Sequence, residues 1–156
     1  MKRHFKPRIP QAFGRHTAET VGSDTIKWDT PAADDGIPGH AGCDQLQLYG
    51  GQQSHHLYGQ GVKSDAEMSS TFQDYLRDVG IPTALMTDGA RAETGFDVTN
   101  ICRHHGIQQF RSEPDYQNQN FIERYVQEVK SIVIALMNTM NTPPEYWLLC
   151  CCLLSL

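Results

Sequence analysis

Residues 64–88 read SDAEMSSTFQDYLRDVGIPTALMTD, and the hydrophobic period changes inside this stretch. Met68, Phe72, Tyr75 or Leu76, and Val79 recur at helical spacing. Ser64-Asp65-Ala66-Glu67 has the form of a capping box ahead of them, and Gly80 and Pro82 end the helix behind them. Ala84 to Thr87 is then a short apolar strand that runs directly into an acid, Asp88. A helix followed at once by a strand is half of a crossover unit, so the chain on either side decides which sheet it joins.

Upstream, the texture is that of an antiparallel meander. Glu19 to Trp28 reads as a first strand, with Val21, Ile26 and Trp28 as its apolar content. Thr30 to Gly42 is a loop on composition, carrying two prolines and the acidic pair Asp34-Asp35. Gln45 to Tyr49 alternates polar and apolar, Gly50-Gly51 is a turn signal, and His55 to Val62 is the partner strand. Downstream, Gly89 to Gly95 is a loop. Val98, Ile101, Cys102 and His105 mark a helix closed by Gly106, and Ile107 to Phe110 is a strand. Ser112 to Gln119 is a polar loop. Asn120 to Met140 is the longest helix, with an apolar stripe of Ile122, Val126, Val129, Val133, Leu136 and Met140, and Pro143-Pro144 stops it. Three strands, then helix, strand, helix, strand, helix, predict an α/β fold. Its mixed five-stranded sheet is flanked by helices in the ribonuclease H-like order. Asp88 falls at the C-terminal end of the fourth strand, where open α/β sheets place functional groups.

The 156 residues form one domain by length, and 39% hydrophobic content excludes a disordered composition. The net charge of −5 is not that of a strongly basic nucleic-acid binder. Clustered carboxylates that take up divalent metal reverse the local sign, however. Residues 1–18 hold Lys2, Arg3, Lys6, Arg8 and Arg15, no acid, and the helix breakers Pro7, Pro10 and Gly14. They read as a basic irregular arm, either a solvated tail or a phosphate-contacting one, ahead of a core over 19–156. The five cysteines include no CxxC pair, which points to thiols used as small apolar residues in a reducing compartment. With no secretory h-region at the N-terminus, the expected location is intracellular, cytoplasmic and nuclear. The apolar run from Tyr146 to Leu156 is too short to span a bilayer and reads as a buried helix or strand. It stops without a polar cap, which suggests a chain truncated at the C-terminal end of a larger domain.

Three acids are the leading candidates for chemistry, with surface or capping carboxylates as the alternative reading: Asp88, Glu123 at the start of the longest helix, and Asp24, with Asp29 close behind it. Carboxylates distant in sequence, each at the edge of a regular element, can converge on Mg²⁺, a hard ion that takes oxygen ligands. Asp88 also fits a plain turn with Gly89. The adjacent pairs His55-His56 and His104-His105 diverge on a strand or a helix and do not predict a zinc site. No Ser-His-Asp or Cys-His arrangement has a sequence context that points to nucleophilic catalysis.

The texture around the acids is more specific. Met86-Thr87-Asp88-Gly89-Ala90 resembles the S-D-N-[GA] segment of retroviral and retrotransposon integrases. Gln117 to Arg124 resembles their loop-helix segment ending in N-x-x-E-R. Ser112-Glu113-Pro114, Pro143-Pro144-Glu145-Tyr146-Trp147, Ser23-Asp24-Thr25, Asp34-Asp35-Gly36 and Phe72 to Arg77 resemble copia-type retrotransposon polyproteins. Residues 19 to 150 are thus similar to the D-D-E integrase catalytic core of copia-type (LTR) elements. That resemblance implies DNA integration: trimming of element DNA ends, then strand transfer into target DNA, with Mg²⁺ or Mn²⁺ and two ions once DNA is bound. It places the catalytic, metal-holding acids at Asp24, Asp88 and Glu123, with Asp29 as the alternative first member. Gln127 and Lys130, one and two turns beyond Glu123, and the amide-rich loop up to Asn120 are the implied DNA contacts. The implied partners are DNA and further copies of the chain, with no membrane and no small-molecule cofactor.

Two departures stand out: Gly89 replaces the usual Asn after the second acid, and the zinc-binding module that commonly precedes such cores is absent. A second class of function is therefore a catalytically inactive, nucleic-acid-binding or self-associating remnant. A third is a ribonuclease H-type nuclease.

Overall fold

The structure is a computed structural model that describes residues 15–88, 95–112 and 121–154. Its elements follow the expected order. Strands β1 (His16–Lys27), β2 (Gln45–Gly51) and β3 (Leu57–Val62) come first, then helix α1 (Met68–Asp78), β4 (Ile81–Thr87), α2 (Phe96–His105), β5 (Gln108–Arg111), α3 (Phe121–Met140) and α4 (Trp147–Leu153). The strands form one sheet in the order β3-β2-β1-β4-β5. β1 to β3 pair antiparallel, whereas β4 and β5 add in parallel beside β1 through the two helical crossovers. Among the described residues no helix is long and apolar enough to cross a membrane.

Alternation along β1 divides the interior in two. Val21 faces a cluster with Tyr49, Phe72, Tyr75, Leu85 and Val98, under α1 and α2. Ile26 faces the opposite cluster with Leu46, Leu48, Ile122, Val133 and Trp147, under α3 and α4. Helix α1 buries Met68, Thr71, Phe72, Tyr75 and Leu76, so both Tyr75 and Leu76 point inward. Tyr49 stacks on Tyr75 and Phe72 at 4.9 and 5.8 Å, and its hydroxyl meets Thr71 Oγ1 at 3.0 Å, which satisfies two polar groups in an apolar layer. The apolar C-terminal run forms the buried helix α4. Trp147 is fully enclosed, stacks on Trp28 at 5.0 Å and donates Nε1–H to Thr30 O at 2.9 Å.

Several local expectations are corrected. Gly50 and Gly51 do not turn the chain; they end β2, and the turn follows at Gln52 to Ser54. β1 starts at His16, inside the stretch expected to be an irregular arm; residues 1–14 lie outside the described residues. Ser64 makes no side-chain cap. Glu67 instead accepts from Lys63 N–H at 3.0 Å, because a short 3-10 turn over 65–67 precedes α1. Pro82 lies within β4 rather than ahead of it. Met140, expected on the apolar stripe of α3, is 55% exposed. The loop over 89–94 and the segment 113–120 lie outside the described residues.

Trp147→Ala removes a fully buried indole together with its stacking and its hydrogen bond. It should cost about 3–5 kcal/mol of stability, read as a lowered urea-unfolding midpoint.

Candidate active site: three carboxylates under helix α3

Asp24 and Asp88 are brought together by strand register. β1 and β4 run parallel, and Ser23 pairs with Thr87. The next residue on each strand is an acid, so Asp24 and Asp88 leave adjacent strands at the same level. Asp24 lies on the same side of β1 as Gly22 and Ile26, the side covered by α3.

Glu123 arrives through an unusually close helix–sheet contact. Gly22 and Gly50 pair across β1 and β2. A Cβ on Gly22 would lie 2.7 Å from Ile122 Cβ and 3.0 Å from the Phe121 ring, and one on Gly50 would lie 2.7 Å from Tyr125 Cδ2. The two glycines form a notch that admits the first turn of α3, which only residues without a side chain permit. The Tyr125 hydroxyl donates to Gly51 O at 3.3 Å and meets His55 Nδ1, tying that turn to the β2–β3 connection. Glu123 sits in the first turn, where the helix dipole favours an anion.

The electrostatics follow from this convergence. Burial, together with the negative charges of Asp88 and Glu123, raises the Asp24 carboxyl above its ordinary range. The Thr25 N–H, donating to Asp24 Oδ1 at 2.7 Å, and the ammonium of Lys130 act in the opposite direction. Asp24, Asp88, Glu123 and Lys130 thus share one electrostatic neighbourhood. Gln127 is exposed on α3 between Glu123 and Lys130. Asn120 lies outside the described residues. Asp29 is exposed and lines a separate cavity of about 220 Å³ with Trp28, Ile134, Met137 and Asn138, beside the far end of α3. The structure therefore groups Asp24, and not Asp29, with Asp88 and Glu123.

The chemistry of the three side chains suits a hard divalent cation: all are carboxylates, and the repulsion that Asp88 and Glu123 exert on Asp24 is what a cation would relieve. Among the described residues no group of three or more His, Cys, Asp or Glu side chains is placed to hold a metal ion. Mg²⁺ does not require such a group, because it binds through one or two carboxylates and completes its shell with water and substrate phosphate.

Beneath Asp24, on the other face of β1, is a polar clamp that the sequence did not reveal. Gln47 is fully buried, accepts from Thr25 Oγ1 at 2.7 Å and donates from Nε2 to Ser23 Oγ at 2.6 Å. It therefore holds the residues on both sides of Asp24. The sequence shows only that Gln45 to Tyr49 alternates polar and apolar, and the helices covering both faces make Gln47 internal.

The sequence matches no protein-family profile and no curated protein. Solved structures do match. The catalytic core domain of BIV integrase superposes with a TM-score of 0.63 at 14% identity, over 86% of this chain and 81% of that one. The fold is that of a retroviral integrase catalytic core. A chain of the simian T-cell lymphotropic virus intasome, solved in complex with PP2A regulatory subunit B56 gamma, gives a TM-score of 0.66 at 14% identity. That match covers 88% of this chain but half (50%) of the viral one. The HTLV-2 integrase catalytic core domain in complex with magnesium, in a trimeric form, gives 0.60 at 14% identity over 85% and 82%. These likenesses confirm the expected ribonuclease H-like integrase fold.

Two outcomes follow. Gly22→Ala forces Ile122 away from β1 and should cost about 1–3 kcal/mol in urea unfolding, as overpacked sites do. Asp24→Asn should stabilise the protein at neutral pH. A carboxyl raised in the folded state contributes stability only while protonated, and that contribution is lost as pH rises through its folded value. The gain measured by unfolding should therefore shrink to nothing on acidification below the ordinary Asp range, about 3.9.

Proposed function

We propose that this chain is the catalytic core of a retrotransposon integrase of copia type, joining DNA ends to target DNA by divalent-metal-dependent phosphoryl transfer. The observation that carries the reading is the electrostatic neighbourhood that Asp24 shares with Asp88 and with Glu123 of the first turn of α3, in a fold shared with integrase cores. The magnesium complex and the intasome among the structural neighbours support the same reading.

Asp24, Asp88 and Glu123 would hold the cation or cations, which supply charge neutralisation and Lewis-acid polarisation at the reacting phosphate. Asp24 is the rigid member, half-buried, held by the Thr25 N–H and backed by the Gln47 clamp. Glu123 is exposed and rides on a helix end, so it is the member that can adjust as a phosphate enters. Lys130, whose charge already reaches Asp24, offers a cation to the DNA backbone. Gln127 and Asn120 extend that contact along α3 and its approach. Work on DNA inside the cell, as a homo-oligomer, belongs to the same proposal.

A strand-transfer assay with element-end oligonucleotides and Mn²⁺ or Mg²⁺ tests this. Asp88→Asn and Glu123→Gln should each reduce joining to background, whereas Asp29→Asn should retain it. Lys130→Ala should weaken DNA binding and lower its salt slope by about 1. Wild-type protein that binds DNA in a salt-sensitive way, with no metal-dependent joining, would instead identify a non-catalytic remnant. Cleavage confined to an RNA–DNA hybrid would identify a ribonuclease H-type nuclease.

A further inference from the structure

Two strands away from the acids, the fold assembles a Cys-His-Asp relay that the sequence did not suggest. Asp35 and His40 come from the loop after β1, and Cys152 from the last turn of α4, 112 positions along the chain from His40. Asp35 Oδ2 meets His40 Nδ1 at 2.8 Å, and His40 Nε2 lies 3.7 Å from Cys152 Sγ. The Asp35 side chain is 5% exposed and that of His40 15%, so the pair is enclosed, whereas Cys152 is exposed. Burial opposes the charge on Asp35, but hydrogen bonds from His40 and from the Ile37 N–H at 2.9 Å outweigh it and hold the carboxyl below its usual range. Asp35 is therefore ionised and can only accept. In the neutral imidazole the hydrogen that Asp35 accepts is the one on Nδ1, and Nε2 is then the acceptor that faces the sulfur.

This order, a nucleophile, a base and an acceptor that orients the base, is the geometry of an activated nucleophile. The groove beside it has a volume of about 280 Å³ and is floored by Leu46, Gly59 and Gly61, with Leu148 and Cys151 on the wall. Small floor residues leave room for a compact reagent next to Sγ. Cys43, Cys102, Cys150 and Cys151 are buried, so among the cysteines Cys152 alone is open to solvent.

We propose that Cys152 is a modification site, a thiol that exchanges with small disulfides while His40 takes its proton. Cys152 Sγ attacks one sulfur of the reagent as its S–H proton passes to His40 Nε2. The new Sγ–S bond forms as the reagent's S–S bond breaks. The departing thiolate recovers the proton from the imidazolium and leaves as a thiol. The Cys152 sulfur is oxidised to a mixed disulfide, and half of the reagent is reduced. Partial burial and the charge of Asp35 raise the Cys152 thiol above its ordinary range, so it rests protonated and depends on the base rather than on a standing thiolate.

The test uses 2,2′-dithiodipyridine on the whole chain, with the modified peptide identified by mass spectrometry. Native protein should show one fast thiol, at Cys152, reacting about a hundredfold faster than the same cysteine in urea-unfolded chain, the lower end of general-base assistance. His40→Gln should remove that advantage, and Asp35→Asn should reduce it. The four buried thiols report folding, since they stay unreactive only in folded variants. If His40→Gln exposes them, the native-to-unfolded rate ratio of the wild type decides alone. Native Cys152 reacting no faster than in the unfolded chain, or equally fast in a folded His40→Gln variant, overturns the proposal.

Discussion

The whole arrangement rests on the absence of two side chains. Gly22 and Gly50 lie opposite each other on β1 and β2, and α3 descends into the space that their missing Cβ atoms leave. Side chains at those positions would lift the first turn of α3 off the sheet. The contact serves packing and chemistry together. It seats Ile122, which is fully buried, between the strands and α3, and it sets Glu123 one residue further on at the edge of the sheet. The same descent brings Lys130 within electrostatic reach of Asp24 two turns later.

The acidic cluster is the least comfortable part of the molecule. Burial and two neighbouring carboxylates work against the charge on Asp24, and the Thr25 N–H and Lys130 offset this in part. Such strain persists only where the surroundings over-determine the geometry. Here they do so from both faces: the α3 notch above Asp24 and the Gln47 clamp below it, in an apolar layer of Phe72, Tyr75 and Leu85. A buried, hydrogen-bonded amide behind a half-buried acid is a means of rigidity, because Gln47 cannot shift without losing hydrogen bonds that water does not replace.

Much of this was legible in the chain. The change from period 2 to period 3.6 around Ser64 separates the meander from the crossovers, and the helix and strand order leads to the observed sheet. Asp88 and Glu123 stand out because each abuts a regular element in a recognisable local texture. The misreadings share one cause. Gly50-Gly51 looks like a turn and is instead a floor for a helix; Met140 looks like core and is exposed. Each depends on what another element does overhead, which local pattern does not record. The choice between Asp24 and Asp29 is of the same kind. The two lie five residues apart, in or just after the same strand, and only the parallel register of β1 and β4 puts Asp24 level with Asp88.

The sequence by itself determined the order of elements, the fold class and the two acids at element ends, because periodicity, capping and turn chemistry act over a few residues. Tertiary structure alone decided which first acid joins them, which polar residues are buried and which cysteine meets a histidine. These depend on strand register and helix approach, set by contacts between residues tens to more than a hundred positions apart.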